Sequence, residues 1–330
     1  LALRALSDWS RHQAELNASA TYRRNFSGSV EEEPEVLVDG RLGLDLAPDL
    51  AATLRGALSL RRDDGFLTGD GGLASNQRDI LTYSGSAELA RTLGPATGAV
   101  RLDAVREDRE ANSVFGADTT PLRSDDSFAT YTAGLRAGYE IAPLLQPFAS
   151  ASVGRRLFDD PVPGSLLSRD SVIPALRAGL AFDAGEKWSG EVALGYAWNL
   201  PDEEALDNRG SPTVDAALNW SPRRGTDLGA RVSTYFEPDA GGSATSTLYQ
   251  GTVTARHRAT ARLDLDALGL VALRDDGFDD FERTFGAEAG LTYWLNSRFA
   301  LIGRYRYDRF DGRVSDYDAN TVRVGVRLQR

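Results

Sequence analysis

Few residues in this sequence can perform acid–base or nucleophilic chemistry. The 330-residue chain has no cysteine and only two histidines, His12 and His257. A serine nucleophile needs an adjacent base, and the sequence contains no Gly-x-Ser-x-Gly motif. Without cysteine there are no disulfides and no thiolate metal ligands. We therefore expect no catalytic residue, no metal site, no cofactor and no enzymatic activity, and we interpret both histidines as interfacial polar residues.

The other chemically active residues are charged, and they recur at every second position. Such residues can brace a wall through cross-strand ion pairs, or they can shape the field inside a water-filled pore. The two roles are compatible, and bracing is favoured for any single residue. The charged set comprises Arg41, Arg55, Arg101, Arg136, Arg177, Arg231, Arg304, Arg306, Arg323 and Arg327, with Asp39, Asp45, Asp103, Glu191, Asp215, Asp264, Asp266 and Glu288.

The elements that position these charges are long strands with period-2 alternation. In residues 187–199, Trp188, Val192, Leu194, Tyr196 and Trp198 share one face, opposite Ser189, Glu191 and Asn199. This pattern is typical of a β-strand with one apolar face. Reading the chain this way predicts sixteen strands, near 12–25, 34–47, 50–62, 79–92, 96–107, 127–142, 146–157, 169–183, 187–199, 211–221, 226–237, 244–257, 261–274, 282–295, 297–309 and 319–329.

The connections between these strands alternate in length. Short turns such as 47–49, 93–95 and 184–186 alternate with longer, acidic segments such as 63–78 and 108–126. Short turns at one end and long loops at the other are typical of an outer-membrane β-barrel. A soluble barrel or sandwich also alternates, but its strands are usually only about 5–6 residues long.

Aromatic residues lie near the ends of the predicted strands. Ten residues separate Trp188 from Trp198, which at ~3.3 Å per residue and a tilt of about 40° spans roughly 25 Å, the height of an apolar membrane band. We therefore predict two aromatic girdles. Trp188, Trp220, Phe182, Tyr293 and Phe299 would form the short-turn girdle, and Trp198, Tyr196, Phe236 and Tyr307 the long-loop girdle.

Composition excludes other classes of protein. The net charge of −11 argues against a nucleic-acid partner. The mean hydropathy is −0.33, and no apolar run approaches the roughly 20 residues that a transmembrane helix needs. The hydrophobic fraction of 42% argues against disorder.

The expected partners are the lipid bilayer and lipopolysaccharide, with a periplasmic export complex as a further candidate. The sequence does not give the oligomeric state.

The meander of Arg- and Asp-rich strands resembles a known family. Segments Val36–Leu46 and Leu50–Leu60, together with the closing segment Ala319–Leu328, are similar to those of the alphaproteobacterial family called Putative beta-barrel porin 2. The resemblance covers nearly all of the chain and has no short diagnostic motif. It implies an outer-membrane location and a pore. The broad class includes passive porins and barrels linked to exopolysaccharide export.

These observations predict an all-β fold, a single transmembrane antiparallel up-and-down barrel of about 16 strands. Residues 1–10 would be an N-terminal periplasmic segment and residues 11–330 the barrel, with both termini periplasmic. Because barrels of ~16–18 strands can leave an aqueous channel, the leading function is a porin-like channel for hydrophilic solutes or saccharides. The alternatives are an outer-membrane partner of an exopolysaccharide export system and a structural or surface-anchoring barrel with a blocked lumen.

Two parts of the predicted lumen are candidate sites. The third long loop carries Val114, Phe115 and Leu122, which could dock it on the inner wall as a constriction. The last strands would place Glu288 opposite Arg304 and Arg304 opposite Arg323. With Arg306, Arg327, Asp264 and Asp266 nearby, we expect these pore-lining residues to form an arginine ladder that attracts anions.

The loop asymmetry predicts the orientation of the barrel, with long loops outside the cell and short turns in the periplasm. A cysteine at Gly277, in a long loop, should therefore react with a membrane-impermeant maleimide on intact cells. A cysteine at Asn296, in a short turn, should react only after the outer membrane is opened. The reverse pattern would overturn the orientation.

Overall fold

The structure is a computed structural model of the whole chain. It describes residues 2–24, 32–62, 79–109, 112–115, 121–124, 127–161, 166–185, 187–238, 245–277, 281–312 and 316–329. At 23–24, 32–33, 112–115, 121–124 and 238 only the backbone is described. Within these residues, no helix is long and apolar enough to cross a membrane.

The regular elements of the described residues are nineteen strands. They are β1 (Ala2–Leu6), β2 (Gln13–Arg24), β3 (Glu32–Ala47), β4 (Leu50–Arg62), β5 (Asp79–Leu93), β6 (Ala96–Arg109), β7 (Asn112–Phe115), β8 (Pro121–Ser124), β9 (Phe128–Tyr139), β10 (Leu145–Phe158), β11 (Ser171–Asp183), β12 (Trp188–Pro201), β13 (Arg209–Arg223), β14 (Thr226–Pro238), β15 (Thr245–Arg258), β16 (Leu263–Asp275), β17 (Glu282–Trp294), β18 (Phe299–Asp311) and β19 (Asp316–Leu328).

Seventeen of these strands form one antiparallel up-and-down sheet. Each strand pairs with the next along the chain, from β1–β2 to β18–β19, except that β6 pairs directly with β9. The short strands β7 and β8 form a separate hairpin between them. In the described part of the chain no ladder joins β1 to β19, so the sheet is open along that seam.

The predicted fold class is confirmed, and each of the sixteen predicted strands is present with ends within about three residues of the prediction. The sheet has one strand more than predicted. Ala2–Leu6 pairs with Glu15–Ser19 of β2, so part of the expected N-terminal segment belongs to the sheet. The pattern missed β1 because five residues are too few for a convincing alternation. That residues 1–10 lie in the periplasm stays a prediction.

The sheet has a polar face and an apolar outer face. The polar face is concave, because its side chains reach strands that are not neighbours. Arg136 of β9 binds Glu191 of β12 at 3.0 Å, and Arg177 of β11 binds Asp215 of β13 at 2.8 Å. Neighbouring strands lie about 4.8 Å apart, so the Arg136–Glu191 pair spans about 14 Å of sheet, a distance that curvature toward the polar face shortens. The outer face exposes large apolar side chains, among them Leu102, Leu135, Leu176, Leu194, Val253 and Val324.

Strands β11 and β12 approach each other closely at Gly195. A Cβ at this position would overlap the carbonyl oxygen of Leu176 and lie 2.9 Å from the Cα of Arg177. Only a residue without a side chain fits there. Gly269 of β16 is the opposite case, because a Cβ there would meet no atom within 4 Å.

Replacing Gly195 with alanine should therefore force the two strands apart. We expect Gly195→Ala to lower the free energy of unfolding by about 1–3 kcal/mol, the usual cost of overpacking. Gly269→Ala is the matched control and should change it by much less. Urea unfolding in lipid vesicles measures both, and equal effects would contradict the close approach.

Candidate functional site: the lumen and the segment that enters it

The charges of the last strands meet on the polar face. Arg304 of β18 contacts Glu288 of β17 at 2.7 Å and Asp266 of β16 at 3.7 Å. The predicted pairing of Arg304 with Arg323 is confirmed. The predicted register of Glu288 was wrong by two residues, since Glu288 lies opposite Arg306 and Arg304 opposite Gly290. The ion pair still forms because both side chains are long enough to meet diagonally.

The arginine ladder is partly neutralised by its neighbours. Arg306 binds Asp308 at 2.7 Å on its own strand. For Arg323 and Arg327, no carboxylate lies within ion-pair distance in the described part of the chain. Five of the seven predicted pore-lining residues share one basin of about 650 Å³: Arg304, Arg327, Asp264, Asp266 and Glu288. An anion-attracting wall would therefore depend mainly on Arg323 and Arg327, and it stays a prediction.

The sequence did not predict that the ladder between β13 and β14 ends partway along the strands. Their ladder pairs Ala216–Trp220 with Leu228–Val232, and among the described residues it does not continue toward the long-loop end. From Thr234 onward β14 leaves β13 but stays paired with β15. We call Thr234–Glu237 together with Thr245–Tyr249 the inner segment.

The inner segment lies against the polar face of the preceding strands. Phe236 packs on Ala175 of β11 and Ala197 of β12, and its carbonyl oxygen accepts a hydrogen bond from Arg156 Nη2 of β10 at 2.8 Å. Three polar contacts join β12 and β13 to β15: Asn199 Nδ2 with Thr245 Oγ1 at 3.1 Å, Arg209 Nε with Thr247 Oγ1 at 3.2 Å, and the hydroxyls of Ser211 and Tyr249 at 2.7 Å.

Part of the inner segment, in β15, is buried on both faces. Ser246, Thr247 and Leu248 are consecutive, yet they are only 1%, 1% and 5% exposed. In the wall of a one-layer sheet, successive side chains point to opposite faces, and one of the two faces is accessible. Three buried neighbours in a row show that this part of β15 is covered on both faces, and its contacts with Asn199, Arg209 and Ser211 place it on the polar side of β12 and β13.

A group of buried charges anchors the inner segment from its other side. Arg274 of β16 contacts Glu237 of β14 at 2.8 Å and Glu282 of β17 at 3.8 Å. The three side chains are only 10%, 17% and 16% exposed. At a site with so little solvent exposure, a charge is tolerated only when it is paired. Arg274 therefore fixes the end of β14 to β16 and β17, the two strands that follow β15.

The prediction that Phe236 belongs to the long-loop girdle is wrong. We expected its ring at the membrane interface, but it is buried inside the lumen. Alternation put Phe236 on the outer face of β14, which is right for the strand. The departure of β14 from the wall then turns that outer face toward β11 and β12.

Five of the predicted girdle residues lie on the outer face: Trp188, Trp198, Trp220, Tyr293 and Phe299. Trp188 stands directly opposite Trp220, and the ring of Phe182 meets Trp188 at 5.6 Å. Tyr293 and Phe299 are exposed near the same short-turn end. Trp198 is at the other end of β12, with its ring 4.9 Å from that of Tyr196. Their contact with lipid headgroups stays a prediction.

The predicted constriction loop lies largely outside the described residues. Its backbone forms the β7–β8 hairpin, in which Val114 is opposite Leu122 and Phe115 opposite Pro121. The side chains of Val114, Phe115 and Leu122 are not among those described, so their docking on the wall stays a prediction.

Two carboxylates beyond the strand ends bind arginines of the wall. Asp202 follows β12 and contacts Arg155 at 2.5 Å, and Asp159 follows β10 and contacts Arg106. These hydrogen bonds lower the pKa of each carboxyl below its ordinary value. Both groups therefore stay charged at neutral pH, and protonation in strong acid would release the loops from the wall.

The two histidines have simple polar partners. Nδ1 of His12 accepts a hydrogen bond from the backbone N–H of Asp45 at 3.2 Å. Nδ1 of His257 lies 2.9 Å from the hydroxyl of Thr226 on the neighbouring strand. Both contacts fit the interpretation as polar residues at the short-turn end.

Comparisons with known proteins concern the whole chain. The sequence model of the family described as Putative beta-barrel porin 2 matches residues 1–330. No curated protein matches the sequence. Among solved structures, the copper transporter OprC has a TM-score of 0.50 at 12% identity, covering 100% of this chain and 63% of that one.

Two further solved structures have comparable TM-scores, sequence identities and coverages. The FrpB iron transporter from Neisseria meningitidis has a TM-score of 0.49 at 9% identity, covering 96% of this chain and 60% of that one. The ferric-catecholate import receptor Fiu from E. coli K12 has a TM-score of 0.44 at 10% identity, covering 97% and 64%. The chain spans about three fifths of the length of these transporters, and the likeness to OprC concerns the fold alone.

The anchoring by Arg274 can be tested against an exposed ion pair. Removing one partner of a buried pair costs about 3–5 kcal/mol, whereas an exposed pair is worth about 0–1 kcal/mol. We expect Arg274→Gln to cost the larger amount in urea unfolding. The control is Arg309→Gln, because Arg309 binds Asp311 at 2.9 Å and the two side chains are 55% and 34% exposed. Equal losses would mean that Arg274 is not an anchor.

Proposed function

The chain belongs to the Putative beta-barrel porin 2 family, and we propose that this outer-membrane barrel is a porin-like channel that passes hydrophilic solutes or saccharides and catalyses no reaction. The observation that carries the proposal is the concave polar face. Its charged side chains bind one another across the strands, as Arg136 and Glu191 do, while the outer face is apolar. A wall polar inside and apolar outside is the arrangement by which barrels carry water through a bilayer.

The inner segment sets the aperture of the proposed channel. It occupies the long-loop half of the lumen, where Phe236 lies against β11 and β12. The basin around Arg304 lies in the short-turn half. A solute would therefore pass from a narrow, hydroxyl-lined region into a wider, charged one. The acidic long loops would face the outside of the cell, with both termini in the periplasm.

The inner segment also favours a second candidate function. A barrel with part of its own wall inside the lumen could be closed at rest, as a structural or surface-anchoring protein would be. The contacts of the inner segment allow the two functions to be distinguished. If the inner segment closes the lumen, one substitution that weakens these contacts should open it. The role in exopolysaccharide export, with a periplasmic export complex as partner, stays a prediction.

Single-channel recording in planar bilayers tests the proposal. Wild-type protein should form open channels. Phe236→Ala should raise the conductance, because truncating a buried phenylalanine removes about 3–5 kcal/mol of the packing that holds the inner segment. Far-UV circular dichroism verifies that the variant folds.

Phe285→Ala is the matched control, since Phe285 of β17 is exposed on the outer face. It should leave the conductance unchanged. Silent membranes with wild-type protein and open channels with Phe236→Ala would favour the closed barrel. Silence with both folded proteins would overturn the channel.

A further inference from the structure

A partly open pocket lies between the inner segment and the wall. Its volume is about 220 Å³, equivalent to roughly seven water molecules at ~30 Å³ each. This space accommodates a single small solute and is too small for an oligosaccharide. Strands β9 to β13 contribute their polar faces, and β14 and β15 contribute the inner segment.

Eight of the fifteen residues that line this pocket carry a hydroxyl, among them Thr130, Thr132, Ser152, Thr213, Thr234 and Thr247. A hydroxyl both donates and accepts hydrogen bonds, so the lining suits a ligand that carries hydroxyls itself. Phe236, Ile173 and Ala175 add an apolar patch, against which the carbon skeleton of such a ligand can pack.

One of these hydroxyls has no partner. Thr213 is 3% exposed, and its Oγ1 makes no hydrogen bond within the described structure. Thr234 shows the usual case, because its hydroxyl accepts from the backbone N–H of Val214 at 3.0 Å. Buried polar atoms are nearly always satisfied in folded proteins, so the Thr213 hydroxyl is available to a water or to a polar ligand atom in the pocket.

The pocket also contains a buried cation without a carboxylate. Arg156 is 8% exposed and donates to the Phe236 carbonyl at 2.8 Å and to Thr130 Oγ1 at 3.4 Å. Its neighbour Arg177 binds Asp215, but in the described part of the chain no carboxylate lies within ion-pair distance of Arg156. The Arg156 guanidinium lies over the Phe128 ring at 5.2 Å, and the carboxylates whose charges act on it, Glu107 and Glu237, are themselves paired with Arg109 and Arg274. Buried charges are normally paired, so an anionic ligand would give Arg156 a carboxylate partner of its own.

From these observations we infer that the pocket binds a small hydroxylated carboxylate, such as a sugar acid, one molecule at a time. The carboxylate would lie beside the Arg156 guanidinium, and a hydroxyl of the ligand would bond Thr213. Arg156 also holds the inner segment through the Phe236 carbonyl, so the same guanidinium would contact both the ligand and the inner segment. The inference rests on the proposed channel only for the route by which the solute arrives.

Isothermal titration of the detergent-solubilised full chain tests the site with D-glucuronate, D-glucose and acetate as probes. Glucuronate should bind about tenfold more tightly than either of the others, because only glucuronate has both the charge and the hydroxyls. Arg156→Gln should abolish the preference for glucuronate over glucose, and Arg156→Lys should restore most of it.

Thr213→Val keeps the shape of the side chain and should weaken glucuronate binding by about fivefold to tenfold, the loss of one hydrogen bond. Thr82→Val is the control, because Thr82 of β5 is on the polar face but outside the pocket. Equal affinity for glucuronate and glucose, or wild-type affinity in both Thr213→Val and Arg156→Gln, would overturn the site. Open channels without glucuronate binding would refute the pocket alone, and binding without conductance would refute the channel alone.

Discussion

Backbone hydrogen bonding between neighbouring strands is the constraint on which this structure depends. In a bilayer no water satisfies a free N–H or C=O group, so a sheet must pair its strands. In the described part of the chain, the meander from β1 to β19 does this at every junction between neighbouring strands of the sheet, and the open seam between β1 and β19 is the exception. Where the β13–β14 ladder stops, a side chain replaces part of it: the Thr234 hydroxyl accepts from the N–H of Val214 and donates to its C=O, at 3.0 and 3.1 Å.

The departure of β14 has consequences for the whole lumen. Because β14 keeps its pairing with β15, both strands move together and carry a stretch of outer face into the interior. Small residues on the opposing wall, Ala175 and Ala197, leave room for Phe236. Buried polar residues on both sides of the inner segment, Arg156 and Arg274, then satisfy its backbone and its acid. The result is a polar face that the inner segment covers in its long-loop half and leaves open around Arg304 in its short-turn half.

Most of the fold could be predicted from the sequence because period-2 alternation and loop length are local signals. The same alternation assigned Arg304 and Glu288 to one face, and their ion pair followed despite a register error of two residues. The inner segment could not be predicted. Residues 245–250, Thr-Ser-Thr-Leu-Tyr-Gln, read as an ordinary wall strand, and nothing local indicates that a ladder will end at Ala216. That depends on packing between strands distant in sequence, such as β10 and β14.

Cross-linking in the naturally cysteine-free chain tests the position of the inner segment most directly. If the β13–β14 ladder continued beyond Ala216 and Val232, Thr245 of β15 would lie three strands from Asn199 of β12, about 14 Å away at ~4.8 Å per strand. The structure instead places Asn199 Nδ2 3.1 Å from Thr245 Oγ1. A short bismaleimide should therefore link cysteines at 199 and 245 in the folded protein, and a control pair at 189 and 219, opposite each other in the β12–β13 ladder, should link in either arrangement. Linkage of 189 with 219, and none of 199 with 245, would contradict the account and restore a continuous wall.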